Sequence, residues 1–324
     1  MKAPFPYFGG KTSISHIVWE ALGDCRHYIE PFFGSGAVLL NRPGYDPKIH
    51  IETVNDKDAF ISNVWRSIQF SPEETAKWAD WPVNHADLSA RKRCLIANES
   101  RLLENLIADP EWHDPKMAGY WIWAASCWIG SGLTCLGKIP HVGHKGMGVH
   151  AIGKRPHLNG GYSMGSGIHK PTAMGHIYEW FDELSARLRY VRVVCGDWKR
   201  VCGGNWQDKI GTCGIFFDPP YSDKANRDSD LYNEDSLDVA HEVREWCMER
   251  GKIKTYRIVL AGYYEEHKEL LDYGWKTYQW SAQGGYSNLG KDRQGRKNKE
   301  KETLFFSPYC INNRDSLFEL EAVK

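Results

Sequence analysis

His27-Tyr28-Ile29-Glu30-Pro31-Phe32-Phe33-Gly34-Ser35-Gly36-Ala37-Val38-Leu39-Leu40 decides the fold, because one short stretch holds a strand, a turn and the start of a helix. Residues 27–33 read as a strand, 34–36 as a tight turn and Ala37 onward as a helix. Glycines at the turn let the backbone approach a ligand, with the helix N–H groups aimed at an anionic part of it. The pattern lacks the third glycine of the dinucleotide fingerprint, since Leu39 stands there, and this counts against a nicotinamide enzyme. Residues 48–55 read as the next strand, followed by Asp56. An acid at that place suits ribose hydroxyls, and it suits equally the N-cap of a helix over 59–68.

A second strand of the same kind, Gly214-Ile215-Phe216-Phe217, runs into Asp218-Pro219-Pro220-Tyr221. The carboxylate of Asp218 is suited to accept one N–H of an exocyclic amine on a flat base, and Pro219 leaves its carbonyl open for the other. Tyr221 offers a face for stacking. The same four residues also read as a strand end and a proline turn. Elsewhere, Ile177, Trp180, Phe181, Leu184 and Leu188 have a helical period over 176–189, and 191–195 and 257–261 read as strands. Residues 276–280 and 303–306 read as a terminal antiparallel pair. The fold class is therefore α/β, with a mostly parallel sheet.

With 324 residues and 42% apolar content, the chain is long enough for one large domain plus an insertion. Net charge is zero, so any nucleic-acid surface has to come from local segregation of charge. Such segregation exists. Between Asp114 and Glu179 there is no acidic residue, while Lys116, Lys138, Lys145, Lys154, Arg155, Lys170 and six histidines are present. The glycine-crowded stretch 130–175 reads as loops fitted to a phosphate backbone, or as a surface loop with scattered basic residues. A second basic run over 284–301 contains Lys291, Arg293, Arg296, Lys297 and Lys299, and reads as a DNA contact or a hairpin loop. Residues 222–235 read as a lid.

Three other features narrow the class. Nine cysteines, without a leader before Pro4-Phe5-Pro6, point to free thiols in a reducing compartment. Cys127, Cys135, His141 and His144 lie near one another but lack a short Cys-x2-4-Cys knuckle, so no metal is expected. Residues 118–137 carry no charge, yet their tryptophans sit mid-segment and they contain Ser126, Ser131 and Thr134. A buried helix over 120–128 is expected there, not a membrane span.

Taken in order, Tyr7-Phe8-Gly9-Gly10-Lys11, Glu30-Pro31-Phe32-Phe33-Gly34-Ser35-Gly36, Asn55-Asp56 with Asn63, Cys195-Gly196-Asp197 and Asp218 through Tyr221 form a set. The set resembles Dam-type DNA adenine N6-methyltransferases, the alpha group of the D12 class. The resemblance implies a Rossmann-like class I methyltransferase sheet, mostly parallel with an antiparallel terminal strand, interrupted by a target-recognition domain. On that basis 1–67 and 173–312 form the catalytic domain, 68–172 the insertion that sets sequence preference, and 313–324 a tail.

It also implies S-adenosylmethionine as cofactor, leaving as S-adenosylhomocysteine, with Tyr7, Lys11, Glu30, Pro31, Phe32, Gly34, Gly36, Asp56, Asp197 and Asp218 as its binding residues. Lys11 would meet an anionic group at the cofactor's amino-acid end, and Asp197 would accept from the cofactor's adenine amine. Asp218, Pro219, Pro220 and Tyr221 would be catalytic. Lys138, Lys145, Lys154, Arg155, Lys170, Arg293, Arg296 and Lys297 would meet double-stranded DNA. No metal and no membrane is implied, and the protein would act as a monomer or weak dimer in the cytoplasm of a bacterial or phage-infected cell. Related enzymes acting on cytosine amines usually carry Ser in place of Asp218, and those acting on RNA or glutamine amides usually carry Asn, so Asp218 favours adenine. A catalytically silent DNA-binding module of the same fold is the remaining alternative. Tyr7 stands where the family frequently has tryptophan.

Overall fold

The structure, a computed structural model, describes residues 1–5, 7, 10–82, 84–128, 133–134, 176–204, 209, 211–220, 239–280 and 302–311. Its strands are β1 His27–Glu30, β2 Ile51–Asp56, β3 Arg192–Cys195, β4 Cys213–Phe217, β5 Tyr256–Tyr263, β6 Lys276–Gln279 and β7 Glu302–Phe306. They form a seven-stranded sheet in the order β3-β2-β1-β4-β5-β7-β6. β1 lies parallel to both β2 and β4, and β4 parallel to β5, whereas β7 is antiparallel to β5 and β6. This is the Rossmann-like α/β methyltransferase arrangement that the motifs imply, with the antiparallel terminal pair where the sequence predicts it. Strand order reverses between β1 and β4, and ligands of open α/β sheets bind beyond the carboxyl ends of strands at such a point.

Two strand boundaries differ from the sequence reading, for local reasons. β1 stops at Glu30 and not at Phe33, because Pro31 has no N–H to give the ladder. β2 begins at Ile51 and not at Lys48. The amides of Ile49 and His50 donate to the Asp46 carbonyl and that of Lys48 to the Asp46 carboxylate, so a turn uses the groups a strand would need.

Helices among the described residues are α1 Ser15–Leu22, α2 Ala37–Leu40, α3 Ala59–Phe70, α4 Pro72–Ala79, α5 His85–Ala108, α6 Pro115–Cys127, α7 His176–Leu188, α8 Lys199–Cys202, α9 Val239–Arg250 and α10 Tyr264–His267. The chain divides into two compact units. One comprises Met1–Gly10, Gly34–Gly36 and Asn55–Asp197; the other comprises Lys11–Phe33, Ala37–Val54 and Trp198–Lys324.

In the first unit α7 buries Ile177, Trp180, Phe181, Leu184 and Leu188, the face its period predicts. The buried Gln69 side chain donates to the carbonyls of Leu188 and Val191 at 2.6 and 2.8 Å, fixing the end of α7. The helix expected over 120–128 begins earlier, at Pro115, where Asp114 caps the amide of Met117 at 3.0 Å and proline occupies the first turn. Arg91 of α5 is buried under the rings of Trp81, Tyr120 and Trp123, at 4.9, 4.2 and 4.5 Å from their centroids. No described helix is long and apolar enough to cross a membrane.

The second unit is built on β1, β4 and β5. All five residues of β4 are buried, as expected for a parallel strand covered on both faces. Trp19 of α1 donates its indole N–H to the Val38 carbonyl at 2.7 Å, which holds the short α2 in place.

Candidate active site

In the first unit the glycine turn and the acid after β2 meet. The amide of Gly34 donates to Oδ2 of Asp56 at 2.8 Å, and the Gly34 carbonyl accepts the indole N–H of Trp65 at 2.8 Å. Gly34 and Gly36 have φ of +45° and +63°, which L side chains rarely adopt. A Cβ on Gly34 would lie 2.5 Å from Cε1 of Tyr7, so the Tyr7 ring rests against bare backbone.

Asp56 and Asp58 divide two tasks. The N-cap of α3 is Asp58, whose carboxylate accepts from the amides of Phe60 and Ile61 at 2.7 and 3.3 Å. Asp56 instead holds Gly34 through Oδ2 and the Asp58 amide through Oδ1, at 2.8 and 2.9 Å. Desolvation of its carboxyl, followed by the charge of Asp58, pushes its pKa up to about 7 against the pull of those two amides. The main chain of Asp56 accepts the Gly196 amide at 3.1 Å, and Asn55 donates to the Gly196 carbonyl at 3.0 Å, so the residue preceding Asp197 is tied to the end of β2. Asn63, grouped with this segment by sequence, gives its side chain to the amide and carbonyl of Asp114 at 2.8 and 2.9 Å; there it sets the start of α6.

In the second unit Glu30 and Asp218 stand at the carboxyl ends of neighbouring strands, β1 and β4, paired in the register Ile29↔Ile215. Glu30 is buried and accepts through Oε2 from the Tyr28 hydroxyl at 2.9 Å and the Leu39 amide at 3.2 Å. Burial drives its pKa well above the usual carboxylate range, with the charges of Asp218 and Glu52 adding to the rise. Asp218 pairs through Oδ2 with Nζ of Lys11 at 2.9 Å; the two side chains are 23% and 7% exposed. Phe32 is half-buried, with ring centroids 6.5 Å from Trp198 and 6.3 Å from Phe217. Pro31 and Pro219 are buried and Pro220 is half-buried.

Sequence reasoning missed three supports: Tyr28, Trp65 and Asp58. Tyr28 and Asp58 had signals: residues two apart on a strand share a face, which puts the Tyr28 hydroxyl beside Glu30, and Asp58 directly precedes the helix expected from residue 59. Tyr221, Lys138, Lys145, Lys154, Arg155, Lys170, Arg293, Arg296 and Lys297 lie outside the described residues, as do Phe8, Gly9, Cys135, His141, His144 and the segment 222–235. Cys127 is described and buried, and burial pushes its thiol up to about 12.

The family model of the D12 class N6 adenine-specific DNA methyltransferase matches residues 7–80. Over this segment the chain is similar to the D12-class adenine methyltransferases. The matched span contains Tyr7, Gly34, Gly36 and Asp56 of the first unit and Lys11 and Glu30 of the second. No curated protein matches the chain. The sheet topology agrees with that family beyond the matched span, and the Asp218 half of the site rests on its own geometry.

Proposed function

We propose that this D12-class methyltransferase moves a methyl group from S-adenosylmethionine to the N6 amine of an adenine rotated out of double-stranded DNA. The observation that carries the reading is Asp218 at the end of β4, its carboxylate held by Lys11 and followed by Pro219. The residues fit the cofactor. Gly34 and Gly36, at φ of +45° and +63°, keep the turn free of side chains with the Tyr7 ring against Gly34, and Asp56 offers a carboxylate suited to ribose hydroxyls. Tyr7, Asp56 and Asp197 of the first unit are proposed cofactor contacts, and so are Glu30, Pro31, Phe32 and Asp218 of the second; for Lys11 a cofactor contact rests on the resemblance alone. When bound, S-adenosylmethionine supplies an electrophilic sulfonium methyl.

Rotating the base out costs on the order of a few kcal/mol, offset by stacking on Tyr221 and by pocket contacts. Asp218 and the Pro219 carbonyl accept the two amine hydrogens and so turn the nitrogen lone pair outward for attack. Most of the rate enhancement comes from this positioning and from dipoles set before reaction. DNA is held by Lys138, Lys145, Lys154, Arg155, Lys170, Arg293, Arg296 and Lys297, whose phosphate contacts make binding salt-sensitive. Residues 68–172 are assigned to target recognition and 1–67 with 173–312 to catalysis.

Asp218 favours adenine over cytosine. The test is nucleoside analysis of initially unmethylated DNA from cells that express the protein. N6-methyladenine is the expected product; N4-methylcytosine alone would contradict the assignment of the base.

A further inference from the structure

We infer that Lys11 is a positioning residue that orients the catalytic carboxylate of Asp218, and that it does not hold the cofactor's anionic end. The inference rests on the reading of the protein as an adenine methyltransferase and revises the role that the family resemblance implies for Lys11.

Nζ of Lys11 lies 2.9 Å from Oδ2 of Asp218, and the lysine side chain is only 7% exposed. Its backbone is anchored as well. The Lys11 carbonyl accepts the Ile14 amide at 3.2 Å across the 3-10 turn Thr12–Ile14, so the long side chain starts from a fixed point. Among the described residues Glu30 ends the neighbouring strand, and its Oε2 already accepts from the Tyr28 hydroxyl and the Leu39 amide. Of these two carboxyls, that of Asp218 is the one paired with the ammonium.

This pairing has a geometric use. An ionised carboxylate has about four acceptor sites on two oxygens. With the ammonium on Oδ2, the carboxylate plane is set and Oδ1 is left to accept an amine N–H. The electrostatic effect of Lys11 on the reaction runs the other way, since the attacking nitrogen gains positive charge beside a cation. A favourable contribution of Lys11 therefore comes from orientation. Misplacement of a reacting group by about 1 Å costs on the order of a hundredfold in rate.

The two roles predict opposite kinetics. Lys11→Met and Lys11→Arg are compared with the unaltered protein for S-adenosylhomocysteine affinity by calorimetry, and for single-turnover transfer of labelled methyl to unmethylated DNA at saturating S-adenosylmethionine. Lys11→Met is expected to keep the S-adenosylhomocysteine Kd within about threefold and to lower the single-turnover rate by about 10- to 100-fold. Lys11→Arg, which restores a cation, is expected to recover a large part of that rate. Affinity falling in Lys11→Met by about tenfold or more, with the rate at saturation unchanged, would make Lys11 a cofactor ligand and overturn the inference. So would a loss of rate that Lys11→Arg fails to relieve. No label transfer by the unaltered protein would overturn the methyltransferase reading itself, and the inference with it.

Discussion

The amide of Gly34 donates to the carboxylate of Asp56 at 2.8 Å, so the turn that follows β1 is fastened directly to the acid that ends β2. Gly34 also has a φ of +45°, and any Cβ there would meet the Tyr7 ring. Gly34→Ala therefore forces a strained backbone and displaces Tyr7 together. A loss of about 1–3 kcal/mol of stability is expected, with a weaker shift of the melting temperature by S-adenosylhomocysteine. Unaltered melting with full ligand stabilisation would contradict this role for the turn.

Asp56 gives the fold a defined pH dependence. Its folded pKa, about 7, lies above the ordinary 3.8, so the folded state holds this proton more tightly than the unfolded chain does. The stability it contributes is present below about pH 4 and is lost as pH rises through about 7. Cofactor affinity runs the other way, because the ionised carboxylate is the better acceptor of ribose hydroxyls. S-adenosylhomocysteine is expected to bind more tightly as pH passes from about 6 to 8, and Asp56→Asn to flatten both profiles. Calorimetry and melting curves across that range check the signs.

Asp58 separates capping from ligand binding. It caps α3 through the amides of Phe60 and Ile61, and its charge helps raise the pKa of Asp56. Asp58→Ala should cost about 1 kcal/mol of stability. It should also move the midpoint of pH-dependent cofactor binding downward while leaving affinity at high pH nearly intact. A large loss of affinity at high pH would show that Asp58, too, meets the ligand.

Burial raises the Glu30 pKa well above the ordinary value, so the hydrogen bonds its oxygens accept are expected to matter more to stability than its charge. Glu30→Gln retains an acceptor for Tyr28 and Leu39 and is expected to change stability by less than about 1 kcal/mol. Glu30→Ala strands two buried donors, each at a cost of about 1–3 kcal/mol. Denaturant melts of the two variants distinguish these outcomes; equal losses would show that the ionised form matters.

Local order along the chain was readable wherever backbone chemistry changes abruptly. The strand-turn-helix over 27–40 announces itself by Pro31 and the glycines at 34 and 36, and α7 by five apolar residues on one face, all of them buried. The antiparallel pair β6–β7 followed from two short strand-like stretches near the chain end, Lys276–Gln279 and Glu302–Phe306. The 24-residue helix α5 was missed, because its buried face mixes Leu88, Leu95, Leu102 and Leu106 with Arg91 and Lys92 and so dilutes the apolar period. Asn84, which caps the Asp87 amide at 2.7 Å, was the available signal for its start.

Site residues were readable as a set, but their pairings were not. Spacing alone could not separate Asp56 from Asp58 as the cap of α3, since both lie within three residues of Ala59. Nor could it join Lys11 to Asp218, which lie 2.9 Å apart in the fold and more than two hundred residues apart in the chain.

The most direct test of the central claim is transfer of tritiated methyl from S-adenosylmethionine to unmethylated double-stranded DNA by the unaltered protein and by Asp218→Ala, with S-adenosylhomocysteine binding measured on both. Label is expected on adenine N6 with the unaltered protein. In Asp218→Ala the label should fall by about three orders of magnitude or more while most cofactor affinity and the melting temperature remain. Undiminished transfer by Asp218→Ala would contradict the account.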